Sequence, residues 1–361
     1  MSRILPILCA SMVAALLLAR VPAEAQDDNA TRDMITTATQ GAIDQGLAFL
    51  ARTQNADGSF GVSQIHQGNV AFTGLAGLAL MAGGHQPGRG KYGANVRRAV
   101  ENVLENEDPK IKGFFHRSRQ GGGHTGPMYQ HGFATLFLAE AHGMVSQPEL
   151  RDRLRAALGR SVELIIKSQN RLGGWRYQPG DGDHDISATI CQIMALRAAR
   201  NAGFSVPKEV ADKCVSYVKS CQDKVGGGFR YRPEGGPTGF AKTSAGLVAL
   251  YSSGIYEGEE VDKALGYLMR SKPGGNAGGG GFFGNIENQA YYHYGHYYAA
   301  QATWIAGGKY WREWYPAIRD ELLASRRPDG SWANGMCPHY CTAMSLIILQ
   351  IPNRYLPILQ R

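Results

Sequence analysis

Six copies of one segment constrain this chain more than any other feature. The run AIDQGLAFLARTQNADGSFG, from Ala42, returns in altered form from Ser161, Ala211 and Ala317, and more weakly from Val96 and Val261. Each copy has a helix-period apolar pattern, a turn rich in Gly, Asp or Asn, and one aromatic residue. The aromatics are Phe60, Phe115, Trp175, Phe229, Phe283 and Trp332, spaced by roughly 50 to 60 residues, the regularity of a repeat architecture. After each aromatic comes a second stretch that is small and apolar nearly all round, such as NVAFTGLAGLALMAGG, SATICQIMALRAARNAG and CTAMSLIILQI. A helix apolar on every side is buried, whereas the first helix of each pair carries Lys, Arg and Glu on one face and belongs outside. No stretch alternates as a strand would. Six outer and six inner helices in alternation make an all-α, (α/α)6 toroid of helical-hairpin repeats, a single domain over residues 38–361. Gly supplies the backbone angles that end each outer helix, and the aromatic plugs the corner between pairs.

Ahead of the repeats, MSRILPILCASMVAALLLARVPAEAQDD has a basic residue near its start, an apolar run through Leu18, and Ala23-Glu24-Ala25. That is the layout of a signal peptide over residues 1–25, cleaved after Ala25, with a polar tail over 26–37. A spanning helix needs about 20 apolar residues, and Pro6 and Arg20 leave too few. The expected product is exported, periplasmic or secreted, with no transmembrane segment after cleavage. Formal charge is +8, from 38 Lys and Arg against 30 Asp and Glu. These residues are spread without a basic run, so no nucleic-acid partner is expected. Five of the six cysteines lie beyond the leader, an odd number that excludes a fully bridged scaffold. Cys214 and Cys221 stand two helical turns apart, about 10 Å, too far to bridge. Cys337 and Cys341, in MCPHYC, are close enough to pair locally.

Alternation has a geometric consequence. All six inner helices run the same way, so their N-termini gather at one mouth of the barrel. That rim collects Asn69, Tyr129, His131, Asp183, Asp185, Ser187, Lys242, Thr243, the run Tyr292 to Tyr297, His339, Tyr340 and Cys341. The opposite mouth, where inner helices end in AGG, AHGM or NAGF, is far poorer in titratable and aromatic groups. Within the rim, GDGDHDISATI alternates three carboxylates. As a calcium loop of the EF-hand type it lacks the Gly at the sixth position and the Glu at the twelfth, which are Ile186 and Gln192. As a helix start it offers Asp185 or Ser187 as an N-cap, with negative charge favoured by the helix dipole. The tyrosine-dense run from Tyr291 to Tyr298 offers aromatic faces to an apolar or cationic ligand.

The turns QNADGSF, QNRLGGW and QDKVGGGF resemble the QW repeats of squalene-hopene and oxidosqualene cyclases. The wider pattern, with PDGSW ahead of YCTAMSLIILQ, is similar to the terpenoid cyclase and protein prenyltransferase toroid superfamily, and it covers most of the chain after the leader. The last copy has Arg326 where the Gln would fall. The resemblance extends to D-H-D-I-S-A, which is similar to the DxDDTA motif of class II cyclases. On that match Asp183 takes the first position and Asp185 the second, the position that protonates the terminal alkene, although Ile186 replaces the third Asp. Such a donor needs a neutral acid in a water-poor pocket, and His131 or His293 would stabilise the carboxylate left behind. Tyr129, His293, Tyr294, Tyr297 and Tyr340 would then contact substrate. The prenyltransferase side of the resemblance admits a zinc site on His296 and Cys341, completed by His293 or His339; the competing expectation is no cofactor. Triterpene cyclases place substrate between two such domains, and this chain has length for one.

The reading is an exported protein of this fold, either a class II cyclase-like enzyme or a binder, holding an isoprenoid or other apolar ligand in the toroid cavity. The alternatives are a scaffold that holds a lipid or a protein partner without catalysis, and a polysaccharide lyase or hydrolase, whose paired carboxylates and Tyr or His base suit an (α/α)6 barrel.

Overall fold

The computed structural model describes residues 34–62, 66–117, 126–274, 291–334 and 336–360. The leader over 1–25, most of the polar tail and Phe283 lie outside these residues. Twelve α-helices are described, in outer and inner alternation. The outer helices are α1 (Thr37–Thr53), α3 (Gly93–Glu105), α5 (Pro148–Lys167), α7 (Lys208–Ser220), α9 (Glu259–Met269) and α11 (Gly308–Ser325). The inner ones are α2 (Val70–Ala82), α4 (Pro127–His142), α6 (Ile186–Asn201), α8 (Phe240–Ser252), α10 (Tyr292–Ala306) and α12 (Pro338–Gln350). Each inner helix packs on the next, and α12 closes on α2, so the inner ring is complete. No strand occurs among the described residues, and none of their helices is long and apolar enough to cross a membrane.

The burial pattern follows the sequence pattern. Every residue of α2 is buried, whereas α5 buries a single stripe that includes Leu150, Leu154, Leu158, Val162 and Ile165. The corners are built alike. The backbone N–H of Phe60, Trp175, Phe229 and Trp332 donates to Thr73, Thr189, Thr243 and Thr342 Oγ1 at 3.1, 3.1, 2.9 and 3.0 Å. Each of these threonines sits in the first or second turn of an inner helix, so one hydroxyl ties each turn to the helix that follows. The turn glutamines reach to the next outer helix. Gln169 Nε2 donates to Gly173 O and to Val210 O at 3.0 and 2.9 Å, and Gln54 and Gln222 repeat the arrangement. Arg326, in place of the last glutamine, reaches the Gln45 side chain of α1 instead.

Glycine is required in these turns for two reasons. Gly173 has φ +97°, and a Cβ there would lie 2.1 Å from the Lys213 carbonyl of the next outer helix. Gly330, at φ +84°, faces the Gln45 carbonyl of α1 in the same way at 2.7 Å, which closes the ring of repeats. These close backbone contacts set the pitch between neighbouring hairpins.

The centre of the barrel is filled. Helices α4 and α10 stand opposite each other in the inner ring, yet the Phe133 and Tyr297 ring centroids are 6.3 Å apart. Cys191 Sγ of α6 meets the Tyr298 hydroxyl at 3.6 Å. The far mouth is covered by the C-terminal segment: Trp304 Nε1 donates to Leu359 O at 2.6 Å, and Ile358 N–H donates to Glu140 Oε2 at 3.2 Å.

Candidate functional site at the inner-helix mouth

Asp185 is the N-cap of α6. Its backbone is extended, and Oδ1 accepts the Ala188 N–H at 2.7 Å. The same carboxylate receives Arg176 Nη1 on Oδ2 at 2.6 Å and the Tyr129 hydroxyl on Oδ1 at 3.4 Å, and the residue has no exposed surface. Arg176 also donates to the Tyr231 hydroxyl at 3.0 Å and lies 3.9 Å over the Tyr177 ring, while the two tyrosine hydroxyls are 2.8 Å apart. Burial works against the guanidinium charge, but Asp185 and Tyr231 raise Arg176 above its ordinary range. Asp183 lies nearer solvent, 3.3 Å from Arg176 Nε and 2.7 Å from Arg232 Nη2. Partial burial opposes its charge, yet the His184 N–H and the two arginines hold its carboxyl below the usual range. Asp183, Asp185, Arg176 and Arg232 thus form a network in which two carboxylates meet two guanidinium groups.

Asp185, expected as a helix cap or a proton donor, is engaged on both carboxylate oxygens. An acid that protonates an alkene carries its proton on an oxygen that faces the substrate, whereas both Asp185 oxygens face protein donors. The carboxylate caps a helix and anchors Arg176.

His131, expected beside the acid, lies at a corner of the fold. Its Nδ1 accepts the Phe115 N–H at 3.2 Å, and its ring packs on Phe114 and Phe115. It occupies the place of the corner threonine of the other repeats, and burial lowers it to about 3, so it is a neutral acceptor there. His293 is buried against Tyr292 beside Asn334 and does not support Asp185; burial lowers it to about 3 as well. Tyr297 is buried against Phe133 and Tyr298, in the filled centre below the mouth.

The residues present do not fit zinc. His296 is enclosed by Phe240, Tyr292 and Trp314, with ring centroids 4.8, 4.6 and 5.8 Å away. Cys341 Sγ donates to Asn334 Oδ1 at 3.3 Å. His339 is committed on both nitrogens, accepting from Gly61 N–H at 3.1 Å and meeting Thr53 Oγ1 at 2.9 Å. Among the described residues no three His, Cys, Asp or Glu side chains converge at metal-binding spacing. Cys337 and Cys341 are both unbridged.

What the mouth offers instead is a wall of phenols. Tyr129, Tyr294 and Tyr340 are half-buried, with Phe72 5.2 Å from the Tyr340 ring and the Tyr294 hydroxyl donating to Ser187 O at 3.3 Å. Burial raises all three phenols well above their ordinary value, so they are neutral. Helices α2, α4, α6, α10 and α12 each contribute one side of this wall. Arg176, Tyr177 and Tyr231 are site residues that the sequence reading did not single out. Their signal is the pair Trp175-Arg176-Tyr177 and Phe229-Arg230-Tyr231, the same aromatic-Arg-Tyr step in successive repeats.

The family model described as the prenyltransferase alpha-alpha toroid domain matches residues 6–118 and 95–314. Drimenyl diphosphate synthase of Streptomyces showdoensis is 28% identical over 194 residues, 54% of this chain and 33% of that protein. The match therefore spans about a third of that relative's length. Among solved structures, the type II terpene cyclase MstE from Scytonema is similar with a TM-score of 0.58 and 15% identity, covering 89% of this chain and 98% of that one. The alpha-1,6-mannanase GH76A of Salegentibacter sp. HEL1_6, solved with alpha-1,6-mannotriose, is similar with a TM-score of 0.62 and 9% identity, over 87% and 99% of the two chains. At these identities the two structures share the fold with this chain. The match along most of its length shows that the chain belongs to the prenyltransferase alpha-alpha toroid domain family.

Proposed function

We propose that this is an exported binding toroid that holds an isoprenoid-bearing or similarly apolar ligand against the phenol wall of the inner-helix mouth, without protonating it. The observation that carries this reading is the occupation of Asp185. Its two oxygens take Ala188, Tyr129 and Arg176, so the acid on which a class II cyclase relies is spent on structure. The half-buried faces of Tyr129, Tyr294 and Tyr340 suit an apolar chain, and their hydroxyls suit a polar head. The filled centre at Phe133 and Tyr297 limits how deep a ligand enters. The MstE structures include one with geranylgeranyl dihydroxybenzoate, an isoprenoid chain on a polar aromatic head. A glycan-cleaving role is less well supported, because Asp183 and Asp185 are both held in arginine pairs.

The test is a titration of the full-length chain with geranylgeraniol, followed by tyrosine and tryptophan fluorescence. Saturable binding that is lost in Tyr294→Ala and Tyr340→Ala, and kept in Asp185→Asn, supports the proposal. A cyclised product from geranylgeranyl diphosphate that disappears in Asp185→Asn overturns it in favour of catalysis. An absence of saturable binding overturns the ligand class.

A further inference from the structure

Residues 354–360 cross the far mouth of the ring as a strap. The chain leaves α12 through a single 3-10 turn, Ile351–Asn353, and reverses at Arg354. With φ at +57°, Arg354 is the one non-glycine residue in the left-handed region among the described residues. Side-chain-bearing residues rarely adopt that conformation, so contacts further along must hold it. Here they are the buried side chains of Leu356, Ile358 and Leu359, the Trp304 Nε1–H given to Leu359 O, and the Ile358 N–H given to Glu140 Oε2. Arg354 itself lies 5.1 Å over the Trp304 ring.

Beneath the strap the acceptor is a carboxyl cut off from water. Glu140 is buried on α4, and no cation among the described residues stands within 4.0 Å of it. Its surroundings do little to balance a negative charge. Arg197 of α6 attracts that charge, yet burial lowers the guanidinium, and Tyr256 and Glu140 do not restore it against Arg200. Helix α2 carries no titratable residue. Tyr297 of α10 is a phenol that burial raises and keeps neutral. On α4 itself, His142 packs on Phe204, and burial with Arg155 and Arg151 of α5 holds it below its usual value. The strap's own Tyr355 is exposed. A charge on Glu140 is better hydrated than buried, and the strap stands between it and water.

We propose that residues 354–360 are a pH-sensitive strap, which opens locally about Arg354 as the Glu140 carboxyl loses its proton and so uncovers the far end of the inner ring. A neutral carboxyl still accepts the Ile358 N–H and is buried at small cost, so the closed strap belongs to acid pH. With the strap closed, burial holds Glu140 at about 7; with it open, the hydrated carboxyl returns toward its ordinary 4.5. Opening therefore becomes easier as pH rises from about 4.5 to about 7 and changes little beyond. Between about pH 5.5 and pH 8.5 the opening constant grows about 30-fold. The strap lies at the other mouth from the phenol wall and is independent of the ligand held there.

The test is amide hydrogen exchange of the full-length chain at about pH 5.5 and about pH 8.5, corrected for intrinsic rates, with and without about 1 M urea. Strap amides are expected to exchange faster than those of α2, to open about 30-fold more at the higher pH, and to respond little to urea, because a local opening exposes little surface. The pH dependence should vanish in Glu140→Gln. Trypsin at about pH 8 should cut after Arg354 at least about tenfold faster in the wild type than in that variant. Strap amides that exchange only as slowly as those of α2, with the same urea dependence, make the opening global and overturn the proposal. So does an opening constant that does not change with pH, or one that changes equally in Glu140→Gln. The wild-type series stands without the variant.

Discussion

Glu140 offers the sharpest test of how this barrel is held together. It lies on α4 near the far mouth, 4% exposed, and its Oε2 accepts the Ile358 N–H of the C-terminal segment. Burial raises its carboxyl from 4.5 to about 7; the Ile358 N–H and the Arg197 charge act the other way but do not cancel burial. The order of the two pKa values fixes the sign. A carboxyl that titrates higher when folded contributes its full stability below the unfolded value of 4.5, and that contribution is lost as pH rises through about 7. The difference of about 2.5 units corresponds to about 3 kcal/mol between pH 4 and pH 8.5. Glu140→Gln keeps an acceptor for Ile358 and carries no charge. Urea unfolding of both chains at the two pH values isolates the effect: the gap between variant and wild type should shift by about 3 kcal/mol in favour of the variant on going to pH 8.5. A shift below about 1 kcal/mol, or one of opposite sign, would falsify the assignment of Glu140 as a buried, strained carboxylate.

Asp185→Ala removes both a helix cap and the partner of a largely buried guanidinium, and should cost about 3 kcal/mol in urea unfolding, with Asp185→Asn in between because Asn still caps; a loss under about 1 kcal/mol refutes the anchoring role. His131→Thr restores the corner acceptor of the other repeats and should stay within about 1 kcal/mol of wild type, whereas His131→Val leaves the Phe115 N–H unmet at a cost of about 1–3 kcal/mol; equal stability of the two variants contradicts the corner assignment. Burial pushes the Cys191, Cys214, Cys221 and Cys341 thiols up to about 12, so iodoacetamide at pH 8 should label them far more slowly in the native chain than in urea, as read by peptide mass spectrometry; equal rates refute it.

Much of this architecture was legible in the amino-acid sequence because repetition makes each local signal redundant. The Gly-aromatic turns and the all-apolar second helices recur, so the alternation of outer and inner helices, the shared mouth and the capping role open to Asp185 follow from the period and from the helix geometry. Even the conspicuous glycines carry their reason in the pattern, since the same turn recurs and needs the same backbone. Pairing across the fold is different. Whether Asp185 is a proton donor or a helix anchor depends on Arg176, nine positions earlier, and on Tyr129 from another repeat. His131 is a candidate catalytic neighbour in sequence, and only the tertiary structure shows its Nδ1 taking the Phe115 N–H as the corner threonines take theirs. His296 and Cys341 look like metal ligands until their surroundings, an aromatic cage and an asparagine oxygen, are known. Glu140 gives no local hint that a returning C-terminal segment encloses it. Periodic hydrophobicity reports which face of a helix is buried; the charge state and partner of a polar side chain depend on atoms brought from elsewhere in the chain, and those only the closed ring assembles.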